Sequence, residues 1–390
     1  MVLYKSHMPV TEDFSEIPGV KDVAIIGCGN IARRYVEGMS RYDSIRLVGV
    51  ADVMQELADS LAAEAGVIAY PSVDALLADP DVDIVVNITP PTVHAALTIQ
   101  ALEAGKNVYV EKPIAATLSD GRRMVETANR VGRILAVAPD TFLGSAGQTA
   151  RAAIDRGNVG EVIGATAFVT HSQAEKWHPN PTFLFQPGGG PALDLGPYYV
   201  TGLVQLLGPI EAVSAFTRVG TDTRTVTSPD RKVESIKVNV ATHGSASLRF
   251  VSGAICTLVL SFDIWNSGLP KIEIYGDRGT LTLPDPNEFD GDVAFRGHYD
   301  EDWTLLEPIF VPSGAPGTYD QLLRGPGVAD LAAAIDGGPL RVSAELALHV
   351  LEVLEAIQTS SDDGGSAVTI TSRPERPAPL AESNTAVRAR

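Results

Sequence analysis

Gly27-Cys28-Gly29-Asn30-Ile31-Ala32 follows the apolar run Val23–Ile26 and opens a helical pattern. This Gly-x-Gly-x-x-Ala form suits the pyrophosphate of a dinucleotide. Gly27 permits a tight turn, Gly29 lets backbone approach the phosphates, and Ala32 lets the helix pack closely on the strand. The helix N-terminus adds free N–H groups and the positive end of a dipole. Gly27, Gly29, Asn30 and Ile31 are therefore cofactor-binding candidates. Asp52 stands 25 residues beyond Gly27, at the end of the next apolar run. A carboxylate there accepts hydrogen bonds from the adenosine ribose hydroxyls and repels a 2′-phosphate, which favours NAD. Arg33 and Arg34 keep NADP open: an arginine near the ribose accommodates a 2′-phosphate, whereas a solvated helix face needs neither.

Two further segments carry side chains suited to a substrate. His171, Trp177 and His178 lie in a loop rich in aromatic and polar residues, a composition that suits sugars, whose C–H faces stack on rings while hydroxyls need directed partners. An interdomain or subunit-contact loop is the alternative reading. Asp140 and Thr141 follow the last strand of the alternating region, and open α/β sheets bind ligands at strand C-terminal ends. The His and Glu residues nearby lack zinc spacing, so no metal is assigned.

Apolar strands alternating with amphipathic helices must position these groups. Strands are expected at 23–26, 45–51, 84–88, 107–110 and 134–138, with helices at 31–42, 55–65, 93–104 and 119–131. That alternation predicts an α/β domain, a parallel sheet of Rossmann type covered on both faces, over residues 21–140. Beyond it a helix (148–156) and a strand (162–170) lead through the loop to a helix ending at Leu207. Strands at 210–219, 235–243, 246–251, 254–263, 271–276 and 279–283 follow, joined by hairpin signals. These predict a second α+β domain, residues 141–371, with a large, mostly antiparallel, open-faced sheet. Helices at 328–336 and 343–358 close it. Residues 1–20 read as a polar arm and 372–390 as a flexible tail poor in apolar content.

At 390 residues the chain is long enough for two such cores. Hydrophobic residues make up 45% and charged residues 20%, which excludes wholesale disorder. Thirty Lys and Arg against 48 Asp and Glu give a net charge of −18, which argues against a nucleic-acid partner and for a neutral substrate. Two cysteines, Cys28 and Cys256, make no disulfide framework. No run is long and apolar enough for a membrane span, and the first residues carry no secretory core, so a cytoplasmic location is expected.

Three more segments add specificity: Thr89-Pro90-Pro91-Thr92-Val93-His94, Glu111-Lys112-Pro113, and Gly188-Gly-Gly-Pro-Ala-Leu-Asp194-Leu-Gly196-Pro-Tyr198-Tyr199. With the glycine motif they resemble the glucose–fructose oxidoreductase / inositol dehydrogenase (Gfo/Idh/MocA) family from about residue 21 to 360. The resemblance implies a two-domain NAD(P)-dependent dehydrogenase of sugars, cyclitols or related polyols, with nicotinamide between the first domain and the second sheet. It also implies a homodimer or homotetramer joined through that sheet. Thr89, Pro90, His94, Glu111 and Lys112 become cofactor-binding candidates, and Lys112, Asp194 and Tyr198 catalytic ones, with Asp194 also facing substrate. Many members carry His four residues after the Asp194 position and Asp three further on. Here those residues are Tyr198 and Thr201, as in glucose–fructose oxidoreductase and the dimeric dihydrodiol dehydrogenases.

A phenol then replaces imidazole in proton transfer. Free tyrosine titrates near ~10, too high for a base at neutral pH, and a neighbouring ammonium favours phenolate. Lys112 is that neighbour, able also to hydrogen-bond the reacting oxygen. Structural alternatives stand beside each assignment. Lys112 could be a surface residue, Tyr198 a core anchor with Tyr199 active instead, Asp194 a helix cap, Glu111 a strand end and His94 an exposed histidine. Two other functions fit the sequence: a retained-NAD enzyme cleaving glycosides by a redox cycle, and a non-catalytic dinucleotide-binding regulator.

Overall fold

In the computed structural model, which describes residues 19–172, 174–310 and 324–380, the strands of the first sheet are short and buried on both faces. The elements in chain order are β1 (Lys21–Ile26), α1 (Ala32–Met39), β2 (Ile45–Ala51), α2 (Gln55–Ala65), β3 (Ile68–Ala69), α3 (Val73–Ala78), β4 (Ile84–Asn87), α4 (Pro91–Glu103), β5 (Asn107–Val110), α5 (Leu118–Val131) and β6 (Leu135–Val137). All six strands run parallel in the order β3-β2-β1-β4-β5-β6, the Rossmann arrangement. The order reverses between β1 and β4, and a ligand crevice opens there at the strands' C-terminal ends. The short β3 and α3 escape the sequence pattern because neither spans enough residues to show a period.

The second half begins with α6 (Ser145–Asp155), β7 (Val162–Thr170), α7 (Ala174–Trp177), α8 (Gly190–Asp194) and α9 (Gly196–Leu207). Strands β8 (Ile210–Arg218), β9 (Thr223–Thr225), β10 (Ser235–Lys237), β11 (His243–Phe250), β12 (Ile255–Ser261), β13 (Ile272–Gly276), β14 (Gly279–Leu283), β15 (Ala294–Gly297) and β16 (Thr304–Leu305) follow. Then come α10 (Pro326–Ile335), α11 (Ala344–Asp362) and β17 (Val368–Thr369). Nine strands form one mixed sheet, β16-β15-β14-β13-β7-β12-β11-β8-β17, antiparallel except where β12 joins β7. Alternation along β11 shows the two faces: Ala246, Leu248 and Phe250 are buried, while Ser245, Ser247 and Arg249 are exposed. The buried face lies against α9 and α11, and α11 also touches α5 and β6, so one helix packs on both layers.

Three expectations change. The helix ending at Leu207 is two helices, α8 and α9, broken at Leu195. The strand expected at 235–243 stops at Lys237: β10 pairs with β9 over a separate small core of Phe185, Val226, Ile236, Val238 and Phe262. The loose tail expected from Ser372 is docked over Ser372–Leu380. Arg376 pairs with Asp155 at 2.7 Å, Pro377 O accepts from Arg151 at 2.8 Å, and the Leu380 N–H donates to Gln148 at 2.9 Å. Composition missed this because the anchors are polar and lie on α6, far back in the chain. Residues 381–390, and most of the expected N-terminal arm, lie outside the described residues.

Candidate active site

The crevice between β1 and β4 is built from backbone. Gly27 has φ +103°, a region L side chains rarely adopt, and an added Cβ would press to 3.1 Å on the backbone of Ile88 and Thr89. Around Gly29 the position of a Cβ meets no atom within 4 Å, so the chain is bare where a phosphate would approach. Asn30 is exposed and Ile31 half-buried at the head of α1, whose first turn receives no side-chain cap. Asp52 stands beside the loop. Its Oδ2 accepts the Cys28 N–H at 2.7 Å and its Oδ1 the Met54 N–H at 2.8 Å. Each carboxylate oxygen retains a further lone pair for a ribose hydroxyl. Arg33 turns away to Glu64, Nε to Oε2 at 2.8 Å, on an exposed surface. These features fit a dinucleotide.

The C-terminal ends of β4 and β5 are tied together. The Thr89 hydroxyl donates to Asn87 Oδ1 at 2.6 Å, and Pro90 leads into α4. His94, expected either at the cofactor or exposed, is wholly buried. Its Nδ1 lies 2.9 Å from Pro113 O and its Nε2 2.7 Å from Thr89 O. Burial lowers its pKa, with the two carbonyls acting in the other direction. It fastens the Thr89 loop to the Glu-Lys-Pro segment. Glu111 is also buried: Oε1 accepts from the Tyr35 hydroxyl at 2.9 Å and Oε2 from the Lys112 N–H at 2.7 Å.

Lys112 crosses to the second half of the chain. Its Nζ donates to Asp194 O at 2.7 Å and reaches Asp194 Oδ1 at 3.2 Å. The same Nζ lies 5.1 Å from the centre of the Tyr198 ring. Burial works against the ammonium, but Tyr198, Asp194 and Glu111 outweigh it and hold Lys112 above its usual range. Asp194 is not a cap: the residue before α9 is Leu195, and no side chain caps that helix. Tyr199 is buried, and burial and then Asp285 push its phenol far up. Of the two tyrosines, Tyr198 is the one against Lys112.

Asp140 and Thr141, expected to meet substrate, are almost wholly buried. Asp140 Oδ2 accepts the Gly327 N–H at 2.9 Å and the Gly325 N–H at 3.4 Å, so it holds the start of α10. A strand end marks a ligand crevice only where later chain does not cover it, and here residues 324–327 do. His171 and Trp177 are exposed, and His178 stacks edge-on with Trp177 and Phe183 at ring distances of 5.4 Å. These rings form a surface group of their own. Among the described residues no cluster of His, Cys, Asp and Glu could hold a metal.

Arg324 was not legible in the sequence. It is 5% exposed, and its Nη2 lies 3.5 Å from the Tyr198 hydroxyl and 3.4 Å from Asn287 Oδ1. Its guanidinium stands 5.4 Å from the Phe289 ring centre. No motif surrounds it, and Tyr198 is 126 residues away in the chain.

Comparisons with known proteins agree with this architecture. Residues 21–138 match the model of the oxidoreductase family with NAD-binding Rossmann fold, GFO/IDH/MocA, and residues 148–282 match the GFO/IDH/MocA C-terminal domain. The 1,5-anhydro-D-fructose reductase of Ensifer adhaerens is 34% identical over 310 residues, 78% of this chain and 88% of that protein. The D-glucoside 3-dehydrogenase of Escherichia coli K12 is 28% identical over 270 residues, 67% of this chain and 76% of the relative. The crystal structure of an NAD-binding oxidoreductase from Klebsiella pneumoniae superposes with a TM-score of 0.78 at 24% identity, covering 90% of this chain and 99% of the other.

Proposed function

The chain belongs to the Gfo/Idh/MocA family and is an NAD(P)-dependent oxidoreductase, and on that premise we propose that it interconverts a hydroxyl and a carbonyl on a neutral sugar or related polyol. The observation that carries this reading is the Lys112 ammonium held by Asp194 against the face of Tyr198. Relatives named as a reductase of 1,5-anhydro-D-fructose and a dehydrogenase of D-glucosides support the substrate class. So does a net charge of −18 with the cations of the site already engaged by protein groups.

Gly27, Gly29, Asn30 and Ile31 would hold the pyrophosphate, Asp52 the adenosine ribose, and Thr89, Pro90 and Lys112 the nicotinamide end. Bound there, the nicotinamide supplies the hydride acceptor or donor. Tyr198 takes the hydroxyl proton in oxidation and returns it in reduction. Lys112 stabilises the phenolate and the charge developing on the reacting oxygen. Asp194 orients Lys112 and accepts from a neighbouring substrate hydroxyl. Asp52, with Arg33 turned to Glu64, favours NAD over NADP. Trp177 and His178 offer rings for sugar C–H faces. The open face of the large sheet joins copies into a homodimer or homotetramer.

The test is nicotinamide absorbance over a panel of neutral sugars, inositols and glycosides, with NAD and NADP in parallel. Steady reduction of NAD with one group supports the reading. A protein that binds NAD yet turns over none of the panel in either direction overturns it.

A further inference from the structure

Tyr198 has two cations near it. Lys112 approaches its ring from the end of β5, and Arg324 approaches its hydroxyl from the residue before Gly325 at the head of α10. We propose that Arg324 is a positioning residue for proton transfer: it favours the Tyr198 phenolate and is itself placed by Asp140, which grips the start of α10. This rests on the assignment of Tyr198 as the proton-transfer group.

Three observations converge. First, the guanidinium is nearly excluded from water, so its charge acts on neighbours with little screening. Second, its surroundings fix its direction: Phe289 stands 5.4 Å from it and Asn287 Oδ1 accepts at 3.4 Å. Third, Asp140 is itself wholly buried, and its grip on the Gly325 and Gly327 N–H groups sets where the chain delivers Arg324. Without such a partner, Asp140 would be a buried carboxylate at large cost.

The charged and titratable groups around the phenol form one cluster. Tyr35 comes from α1, Tyr109, Glu111 and Lys112 from β5 and its end, Asp140 from the segment after β6, Asp194 from α8, and Arg324 from before α10. Lys112 Nζ lies 5.1 Å from the centre of the phenol ring and Arg324 Nη2 3.5 Å from its hydroxyl, while Glu111 accepts the Lys112 N–H and Asp140 the Gly325 and Gly327 N–H groups. Burial opposes the charge of Arg324, and Tyr198, Asp140 and Glu111 outweigh it. Opposite charge within hydrogen-bond reach favours the ionised phenol, so loss of Arg324 moves that ionisation to higher pH.

The test reads the phenol without substrate. Ultraviolet tyrosinate absorbance is titrated for the intact enzyme and for Tyr198→Phe, and the difference isolates Tyr198. The same pair is then measured with Arg324→Gln and with Arg324→Lys. The expected result is a midpoint higher by about one pH unit or more with Gln and close to the parent with Lys, which keeps the charge. An unchanged midpoint with Gln overturns the proposal. If melting shows Arg324→Gln unfolded, Arg324→Met, which likewise removes the charge but keeps an apolar stem in place, replaces it with the same expected direction and the same overturning result. The acid limb of kcat/KM should follow the titration. Full activity in Tyr198→Phe would instead sink the functional reading while leaving the titration result standing.

Discussion

The glycine crevice and the Lys112–Tyr198–Arg324 cluster solve different problems with different materials. The phosphate-facing part of the crevice comes from one short stretch of chain, and it is made of backbone: a left-handed glycine, a bare glycine and a helix start with no side-chain cap. The cluster draws a lysine, an aspartate, a tyrosine and an arginine from three separate segments, and on the proposed reading its work is done by side-chain charge. A phosphate needs donors at a fixed spacing, which a single turn provides. A phenol proposed to take a proton needs cations at close range, which no single segment of chain supplies.

The sharpest way to break this division is at the cluster. Lys112→Ala and Tyr198→Phe should each lower turnover by about 100-fold or more, while NAD affinity measured by fluorescence stays near that of the parent. Equal loss of binding and turnover would show that the two regions are not separate. Next in size, Asp52→Ala should erode the preference for NAD over NADP by about tenfold and leave turnover largely intact, since a hydrogen bond to a charged group contributes roughly 1.5–3 kcal/mol. Unchanged discrimination in kcat/KM would place the ribose elsewhere.

Smaller effects belong to the frame that holds the two regions. Arg376→Ala frees the docked tail from Asp155 and Gln205 and should cost about 1 kcal/mol in urea unfolding, with kcat unaffected. Part of the pH response of stability should come from α11. Burial pushes His349 down to about 4 while Nε2 accepts the Ile210 N–H at 3.0 Å, tying α11 to β8. The neutral ring is favoured in the folded state. Its contribution is therefore complete above about 6.5, the ordinary histidine value, and is lost as pH falls toward 4. Melting temperature should fall through that window, and less steeply in His349→Gln. Identical pH slopes for the two proteins would assign the effect to other groups.

The fold was mostly legible because its signals are local. The runs at 45–51, 55–65, 107–110, 162–170 and 279–283 coincide with β2, α2, β5, β7 and β14. Each is bounded by turn residues and is long enough to show its period. Among the elements that escaped, β3, β9, β15, β16 and β17 are of two to four residues and exist through what they pair with. The Leu195 break was hidden because Gly196 and Pro197 fit both a helix start and a loop.

At the candidate site, motif position and residue type single out the glycine turn, Asp52, Lys112 and Tyr198 from the sequence. His94, Asp140 and Thr141 were misplaced for a shared reason. Their exposure depends on what the rest of the chain lays over them, and that is a property of packing. Arg324 shows the same limit from the other side. An arginine before Gly-Pro-Gly carries no signal of its own until α10 folds onto Asp140 and delivers it to Tyr198. Sequence alone determined the two-layer architecture, the dinucleotide crevice and the chemical types available, because backbone periodicity and glycine conformation act within a few residues. Tertiary structure alone decided which polar groups stay accessible and which charges meet, because electrostatic energy depends on distance and burial and not on separation along the chain.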